Sequence, residues 1–272
     1  MAGKNDQETG GFWEQVARTD PYWGVLTKED YRSATLTEDA RRRFFLLGEQ
    51  AVVRALGVLA QRFGCPERFD TALEFGCGVG RLLMPLARRS GRAMGVDAAP
   101  TMLRLCAENA REAGLDNIEL ATDLGEFGLE PGSLDLVISF LVLQHIPSEA
   151  GYGHFAALLK LVRPGGWGAI QLTYANEIGF IRNESRDTGV PYRYYQRLGD
   201  QILRLVKGAA EPEPMLMNHY NLNEIMCILL DNNIIQHFAM HTNQAGILGI
   251  EFYFQKAPAS AGRKAPSGST VQ

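Results

Sequence analysis

The sequence predicts a doubly wound α/β fold, an open and mostly parallel sheet with helices on both faces. Three observations lead there. A glycine loop, Gly76-Cys77-Gly78-Val79-Gly80, follows an apolar run and precedes a helical one. Short apolar runs and helical segments then alternate from Phe69 to Tyr174. Such alternation with short connections implies parallel strands joined by right-handed crossovers. Finally, two strand-like runs near the C-terminus are separated only by Asn243 to Gly246, a hairpin spacing. Seven strands are therefore expected, the last two forming an antiparallel hairpin.

The elements follow in order. Thr37-Glu38-Asp39 starts a helix with an N-cap and an acidic first turn. Ala40, Phe44, Leu47, Ala51, Ala55 and Leu59 recur at helical spacing, and Gly64 ends the run. Phe69 to Phe75 reads as a buried strand, and Arg81 to Ser90 as a helix stopped by Gly91. Arg92 to Val96 is the second strand. Pro100 suits the first turn of the next helix, which runs to about Gly114. Ile118 to Thr122 is the third strand. Leu134 to Phe140 is the fourth, apolar on both faces as a central parallel strand should be. Ser148 is placed to cap a helix reaching Val162. Pro164-Gly165-Gly166 breaks that helix, and Trp167 to Tyr174 is the fifth strand. Leu222 to Leu230 is helical, and Ile234 to Thr242 and Ile247 to Gln255 are the hairpin strands.

Residues 1–68 form an N-terminal helical arm or lid, residues 69–256 the core, and residues 257–272, rich in Ala, Ser, Gly and Pro, a disordered tail. The arm is aromatic, with Phe12, Trp13, Tyr22, Trp23 and Tyr31. Residues 175–220 are an insertion after the fifth strand, too long for an ordinary connection and expected to carry one or two helices. Arm and insertion both reach the carboxyl edge of the sheet, where ligands bind in open α/β folds.

The spacing of the glycine loop selects among ligands. Glycine accepts φ > 0 and lets a ligand approach the main chain, and a helix start behind it offers N–H groups to an anion. The dinucleotide fingerprint G-x-G-x-x-G wants its last glycine where this chain has Arg81. The Gly-Lys-Ser/Thr ending of a Walker A loop is absent from it. Glu74-Phe75-Gly76-Cys77-Gly78-Val79-Gly80 resembles motif I of the class I S-adenosylmethionine-dependent methyltransferases. Asp97 to Leu103 resembles that family's stretch after the second strand, with Ala99 at its serine-like position. Val137 to Ile146 resembles the fourth-strand motif. Leu161-Val162-Arg163-Pro164-Gly165-Gly166 resembles the turn before the fifth strand. The resemblance covers residues 69–174 closely and the hairpin by layout, and it implies a Rossmann-like seven-stranded sheet.

It also implies a cofactor, S-adenosylmethionine, with S-adenosylhomocysteine as product. The loop of Glu74, Gly76, Cys77, Gly78 and Gly80 would hold its methionine part. Asp97 lies 21 positions after Gly76, where a carboxylate can accept from both ribose hydroxyls; Ala98 follows it. The alternative for Asp97 is a solvent-exposed helix N-cap, since Ala98-Ala99-Pro100 follows. Asp123 and Leu124, after the third strand, would meet the adenine, or Asp123 is an ordinary polar turn residue. Backbone at Ser139 and Phe140 would hold the ammonium group.

Methyl transfer from a sulfonium is an in-line displacement, so alignment and exclusion of water do most of the work. A general base is needed only for an acceptor that arrives protonated. His145 is the first candidate, with structural support of the turn as its alternative. Tyr174 and Glu177 face the expected acceptor side. His154 reads as structural, and His237 and His241 as ordinary strand residues. Trp23, Arg182, Arg186, Tyr192, His219 and Tyr220 are candidate acceptor-binding residues. The arginines suit an anionic acceptor, or else form a solvated face with Glu184 and Asp187. The aromatic arm either closes over the acceptor or packs in a homodimer interface.

The function expected is therefore methylation of a small molecule, at oxygen first. Carbon or nitrogen methylation and a non-catalytic regulatory or scaffold role are alternatives. The net charge of −4 argues against a nucleic-acid partner. Cys65, Cys77, Cys106 and Cys227 form no C-x-x-C pair, so neither a zinc site nor another metal centre is expected. Reduced cysteines, the absence of an apolar leader in residues 1–11 and no apolar run of about 18 residues point to a cytoplasmic protein without a membrane partner.

Overall fold

The computed structural model describes residues 4–176, 217–244 and 246–258. Seven strands form one sheet in the order β3-β2-β1-β4-β5-β7-β6. These are β1 Phe69–Phe75, β2 Ser90–Val96, β3 Ile118–Ala121, β4 Leu134–Ser139, β5 Val162–Asn176, β6 His237–Gln244 and β7 Ile247–Gln255. The pairs from β3 across to β5 are parallel, and β7 pairs antiparallel with both β5 and β6. The predicted hairpin thus closes the sheet. Strand order reverses between β1 and β4, which opens a crevice at their carboxyl ends.

Strand alternation divides the core between two faces. Leu73, Phe75 and Val137 point to one side, under helices α6 (Ser148–Leu161) and α7 (Leu222–Asp231). Ala72, Leu136 and Ile138 point to the other, under helix α3 (Glu38–Phe63). The Thr37 hydroxyl accepts from the Ala40 N–H and Gly64 ends α3 at φ +63°, as its sequence predicts. The 26-residue α3 revises one expectation, since by length and composition it contains a window apolar enough to cross a membrane. Here Val52, Ala55 and Leu59 are fully buried against the sheet, so the helix serves the core.

Four boundaries differ from the sequence expectation. The helix after the glycine loop, α4, covers only Leu83–Ala87. Parallel pairing of Ser90 with Phe69 draws the chain into β2 early, so Gly91 lies in a strand instead of stopping a helix. Sheet pairing overrides local helical preference there. Ser148 is the first helical residue of α6 and caps nothing; Pro147 holds the N-cap position. Pro164-Gly165-Gly166 is a register irregularity inside β5, where Leu134 pairs with Val162 and Leu136 with Trp167. Asn233 at φ +61° turns Ile234 into the core, and β6 begins only at His237.

The N-terminal segment adds α1 (Lys4–Thr19) and α2 (Pro21–Val25), and α5 (Pro100–Glu112) follows β2. Glu14 of α1 accepts from the Thr101 N–H (3.0 Å) and hydroxyl (2.8 Å). An acidic side chain from one helix thereby satisfies the first turn of another. The Tyr22 hydroxyl donates to Asn109 Oδ1 at 3.1 Å, and Asn109 Nδ2 donates to the Val79 carbonyl of the glycine loop. Both helices are pinned over the carboxyl edge of the sheet.

Candidate functional site

A cavity of about 730 Å³ opens at that edge. The glycine loop, the ends of β2, β3 and β4, and the α1–α2 segment line it. The loop is tied down by its own backbone. The Gly76 and Cys77 N–H groups both donate to the Val96 carbonyl, at 2.7 and 2.9 Å. Gly76 sits at φ +78°, and a Cβ there would come within 2.1 Å of Val142. Glycine is obligatory at this position on both grounds. Gly80, also predicted to touch the ligand, turns inward: a Cβ would meet Cys106 Sγ at 2.8 Å, and Gly80 does not line the cavity. The five-residue α4 starts only at Leu83, so the expected helix terminus directly behind the loop is displaced.

Asp97 lines the cavity at the end of β2. Its Oδ2 accepts from the Gly78 N–H and its Oδ1 from the Ala99 N–H, both at 2.9 Å. Burial raises its carboxyl above the ordinary aspartate value, and the two N–H groups pull it back only in part. It is therefore both a cap and a wall of the cavity. Ala98, Asp123 and Leu124 are wall residues too. Asp123 Oδ1 accepts from Gly125 at 2.7 Å within a capping box with Glu126, so the turn role considered for it is real.

At the floor, Glu74 and Arg81 both line the cavity and are 3% and 7% exposed. Glu74 Oε2 and Arg81 Nε are buried with no hydrogen-bond partner. Desolvation pushes the Glu74 carboxyl well up, opposed by the Arg81 charge. Buried polar atoms of this kind are rare in folded proteins and mark a place for a ligand.

The β4 end carries the turn from Phe140 to Ile146. Phe140 lines the cavity, but Ser139 does not: its hydroxyl donates to the Phe75 carbonyl at 3.0 Å and ties β4 to β1. Leu141 adopts φ +64°, and its N–H donates to Gln171 Oε1 at 3.2 Å. A non-glycine residue in the left-handed region is strained. His145 lines the cavity, as expected. Its Nε2 lies 3.1 Å from Gln144 Nε2, an amide that can only donate, so this ring nitrogen accepts.

Several predicted acceptor residues lie elsewhere. Tyr174 is 3.2 Å from His241 Nδ1 and away from the cavity. Trp23 stacks under the Arg32 guanidinium at 4.1 Å. Tyr220 is buried, and its hydroxyl proton is shared between the Leu143 (2.7 Å) and Ile146 (3.0 Å) carbonyls. It braces the His145 turn from behind. His219 is half-buried beside it and not in the cavity wall. Glu177, Arg182, Arg186 and Tyr192 lie outside the described residues. Conversely, Trp13 and His154 line the cavity. The Trp13 ring stands edge-on to His145 with centroids 4.9 Å apart, and the His154 ring packs 5.3 Å from Phe75. The cluster of aromatics in the arm was the available signal for Trp13; which of them reaches the site depends on how α1 docks.

The fold and the site define a class. Residues 72–166 match the family model described as a methyltransferase domain. A ubiquinone biosynthesis O-methyltransferase of Albidiferax ferrireducens is 30% identical over 156 residues, 56% of this chain and 61% of that protein. One of the same name from a Methylobacterium species is 36% identical over 102 residues, covering 35% of this chain and 38% of its own. The chain thus spans about three fifths or less of the curated relatives it matches. Among solved structures, magnesium protoporphyrin IX methyltransferase from Synechocystis PCC 6803 with bound S-adenosylhomocysteine superposes with a TM-score of 0.61. That match has 16% identity and covers 93% of this chain and 100% of that one. Residues 72–166 thus carry the likeness to a methyltransferase domain, and the chain shares the fold of that solved methyltransferase.

Proposed function

We propose that this protein transfers a methyl group from S-adenosylmethionine to a hydroxyl of a small molecule, by in-line displacement inside the cavity at the carboxyl edge of the sheet. The observation that carries this reading is the donor set of the cavity: Asp97 and Asp123 on the nucleoside side, Glu74 and the glycine loop below, and His145 with Trp13 across from them. The O-methyltransferase relatives support oxygen as the acceptor atom.

The residues fit the cofactor. Asp97 keeps carboxylate lone pairs for a ribose diol beyond the two it gives to the loop, since a carboxylate offers about four acceptor positions. Leu124 and Met102 supply apolar wall for an adenine. Glu74 Oε2 offers an unmet acceptor for an ammonium group. Bound there, S-adenosylmethionine supplies an electrophilic methyl group.

The chain's own residues then provide position and dryness. The α1–α2 segment lines the cavity through Gly10, Gly11, Trp13 and Val25, where it would shield the reacting atoms from water. Orientation of two bound reactants is worth roughly 7–11 kcal/mol of barrier. His145 is placed as the base: its Nε2 lone pair, which accepts from Gln144 while no acceptor is bound, takes the hydroxyl proton in place of that hydrogen bond. A positioned base adds about 10²–10⁴-fold. The acceptor site lies beside Trp13, His145 and His154. The anionic acceptor, the homodimer and the division into arm, core and tail remain part of this proposal.

The test is incubation of the purified chain with S-adenosylmethionine and a panel of phenols, carboxylates, sugars and amines, with mass analysis of products. A mass gain of one CH₂ on a phenol or other hydroxyl compound is the outcome expected from oxygen methylation. Tight cofactor binding without turnover of any acceptor would favour the regulatory role instead.

A further inference from the structure

The turn that carries His145 is held from behind by a buried polar cradle. The turn itself is a short 3₁₀ helix, Leu143–His145. Just ahead of it, the Leu141 N–H donates to Gln171 Oε1. The Gln144 carbonyl accepts from the Asn218 N–H at 2.6 Å and from Asn218 Nδ2 at 3.3 Å. The Asn218 carbonyl in turn accepts from the Thr173 hydroxyl at 2.5 Å, and the Thr173 carbonyl from the Tyr220 N–H at 2.8 Å. The Tyr220 hydroxyl reaches the Leu143 and Ile146 carbonyls. At Gly151 of α6 a Cβ would lie within 1.8 Å of that hydroxyl, so a side chain there would displace it. Gln144, Gln171, Thr173, Asn218 and Tyr220 are all buried. Polar groups are costly in such a place unless paired, and once paired they fix one geometry.

This cradle sets where the Gln144 side chain starts. Gln144 stands outside the cavity wall, while the next residue, His145, lines it. The Gln144 amide nitrogen lies 3.1 Å from His145 Nε2. An amide nitrogen only donates, so Nε2 holds a lone pair and the neutral ring carries its proton on Nδ1. A base acting through Nε2 requires this tautomer, and the hydrogen bonds made to the ring decide between the two. The bond is also replaceable. An acceptor hydroxyl arriving as a donor takes the place of the amide without any proton moving on the ring.

We propose that Gln144 is a positioning residue for His145: its amide, anchored through Asn218, keeps the ring in the Nδ1–H tautomer and the Nε2 lone pair ready for the acceptor's proton. The proposal rests on the reading of His145 as the base. The opposite arrangement, with the amide carbonyl toward the ring, would place a proton on Nε2 and leave that nitrogen unable to accept another.

Nitrogen NMR of the isotope-labelled histidine rings of the full chain tests it without an acceptor. Spectra are taken at alkaline pH, where imidazoles are neutral, and His145→Gln assigns the His145 signals by their loss. The wild-type ring is expected with Nδ1 protonated and Nε2 bare. Gln144→Met keeps the bulk but removes the donor. It is expected to shift the ring toward the Nε2–H form and to lower kcat about tenfold, the worth of one hydrogen bond. Gln144→Glu presents only acceptors, so it is expected to hold a proton on Nε2 and to lower kcat about 10²–10⁴-fold, the whole contribution of a base. Affinity for S-adenosylmethionine is expected to stay within about threefold in both variants, because Gln144 lies outside the cavity wall. A residue that only fills space behind the turn would move no tautomer. A wild-type ring protonated on Nε2 overturns the proposal, and so does a folded Gln144→Met whose ring stays Nδ1–H. If neither variant folds, the wild-type tautomer decides alone. None of these results touches methyl transfer itself. Full turnover in His145→Gln would overturn the reading of His145 as the base, and the proposal with it.

Discussion

Trp13 stands edge-on to His145 across the cavity, ring centroids 4.9 Å apart, although 132 positions separate them in the chain. One belongs to the N-terminal arm and the other to the turn after β4. Their contact joins the cover of the site to its proposed base. Trp13→Ala is expected to lower kcat/KM about tenfold, since an aromatic pair contributes roughly 0.5–1.5 kcal/mol beyond the area it buries. Trp13→Phe is expected to keep most activity. Steady-state kinetics on the first acceptor identified checks both.

His145→Gln removes the proposed base while keeping a polar side chain. The expected loss in kcat is about 10²–10⁴-fold with cofactor affinity unchanged. Loss of cofactor binding and kcat together would return His145 to the role of turn support.

Tyr220→Phe deletes one hydroxyl; the Ile146 carbonyl loses it as a donor, while the Leu143 carbonyl keeps the Ile146 N–H. The expected cost is about 1–3 kcal/mol of stability, the penalty for orphaned buried groups. Chemical denaturation with cofactor absent measures it. An unchanged midpoint would show that water replaces the hydroxyl.

Glu14 predicts a pH dependence for the cover. The Thr101 N–H holds its carboxyl below the ordinary glutamate value of 4.5, with burial opposing and the Thr101 hydroxyl and Arg18 adding to it. Docked α1 thus carries fewer protons on Glu14 than released α1. Docking is fully supported above 4.5 and weakens as pH falls below it, through the lowered value. Limited proteolysis within residues 4–19 should accelerate below that pH and in Glu14→Gln at neutral pH. Equal cleavage of wild type and variant at pH 7 counts against the latch.

Much of the fold was legible in the residues. Thr37 and Gly64 bound α3 because a hydroxyl cap and a left-handed glycine act within a few residues of themselves. The apolar runs of β1 and β4 and the short link from Asn243 to Gly246 pointed to the sheet and its hairpin. Local patterns misled where sheet pairing took control, as at Gly91 and at Pro164-Gly165-Gly166. Among site residues, Gly76, Gly78, Asp97, Asp123 and His145 line the cavity; the loop and Asp97 were singled out by spacing, Asp123 and His145 by the motif resemblance. Ser139, Gly80, Tyr174, Trp23 and Tyr220 were not, for each spends its side chain or its missing Cβ on a neighbour.

The sequence by itself determined the strand–helix order, the glycine loop and an acidic residue at the end of β2, because periodicity and spacing act along the chain. The tertiary structure alone decided that Trp13 meets His145, that Tyr220 stands behind the site instead of in it, and that Arg81 lies buried with Glu74 in the cavity wall, its Nε without a hydrogen-bond partner among the described residues. The physical reason is that desolvation and contact between distant residues arise only when helices pack onto the sheet, and no spacing in the chain records them.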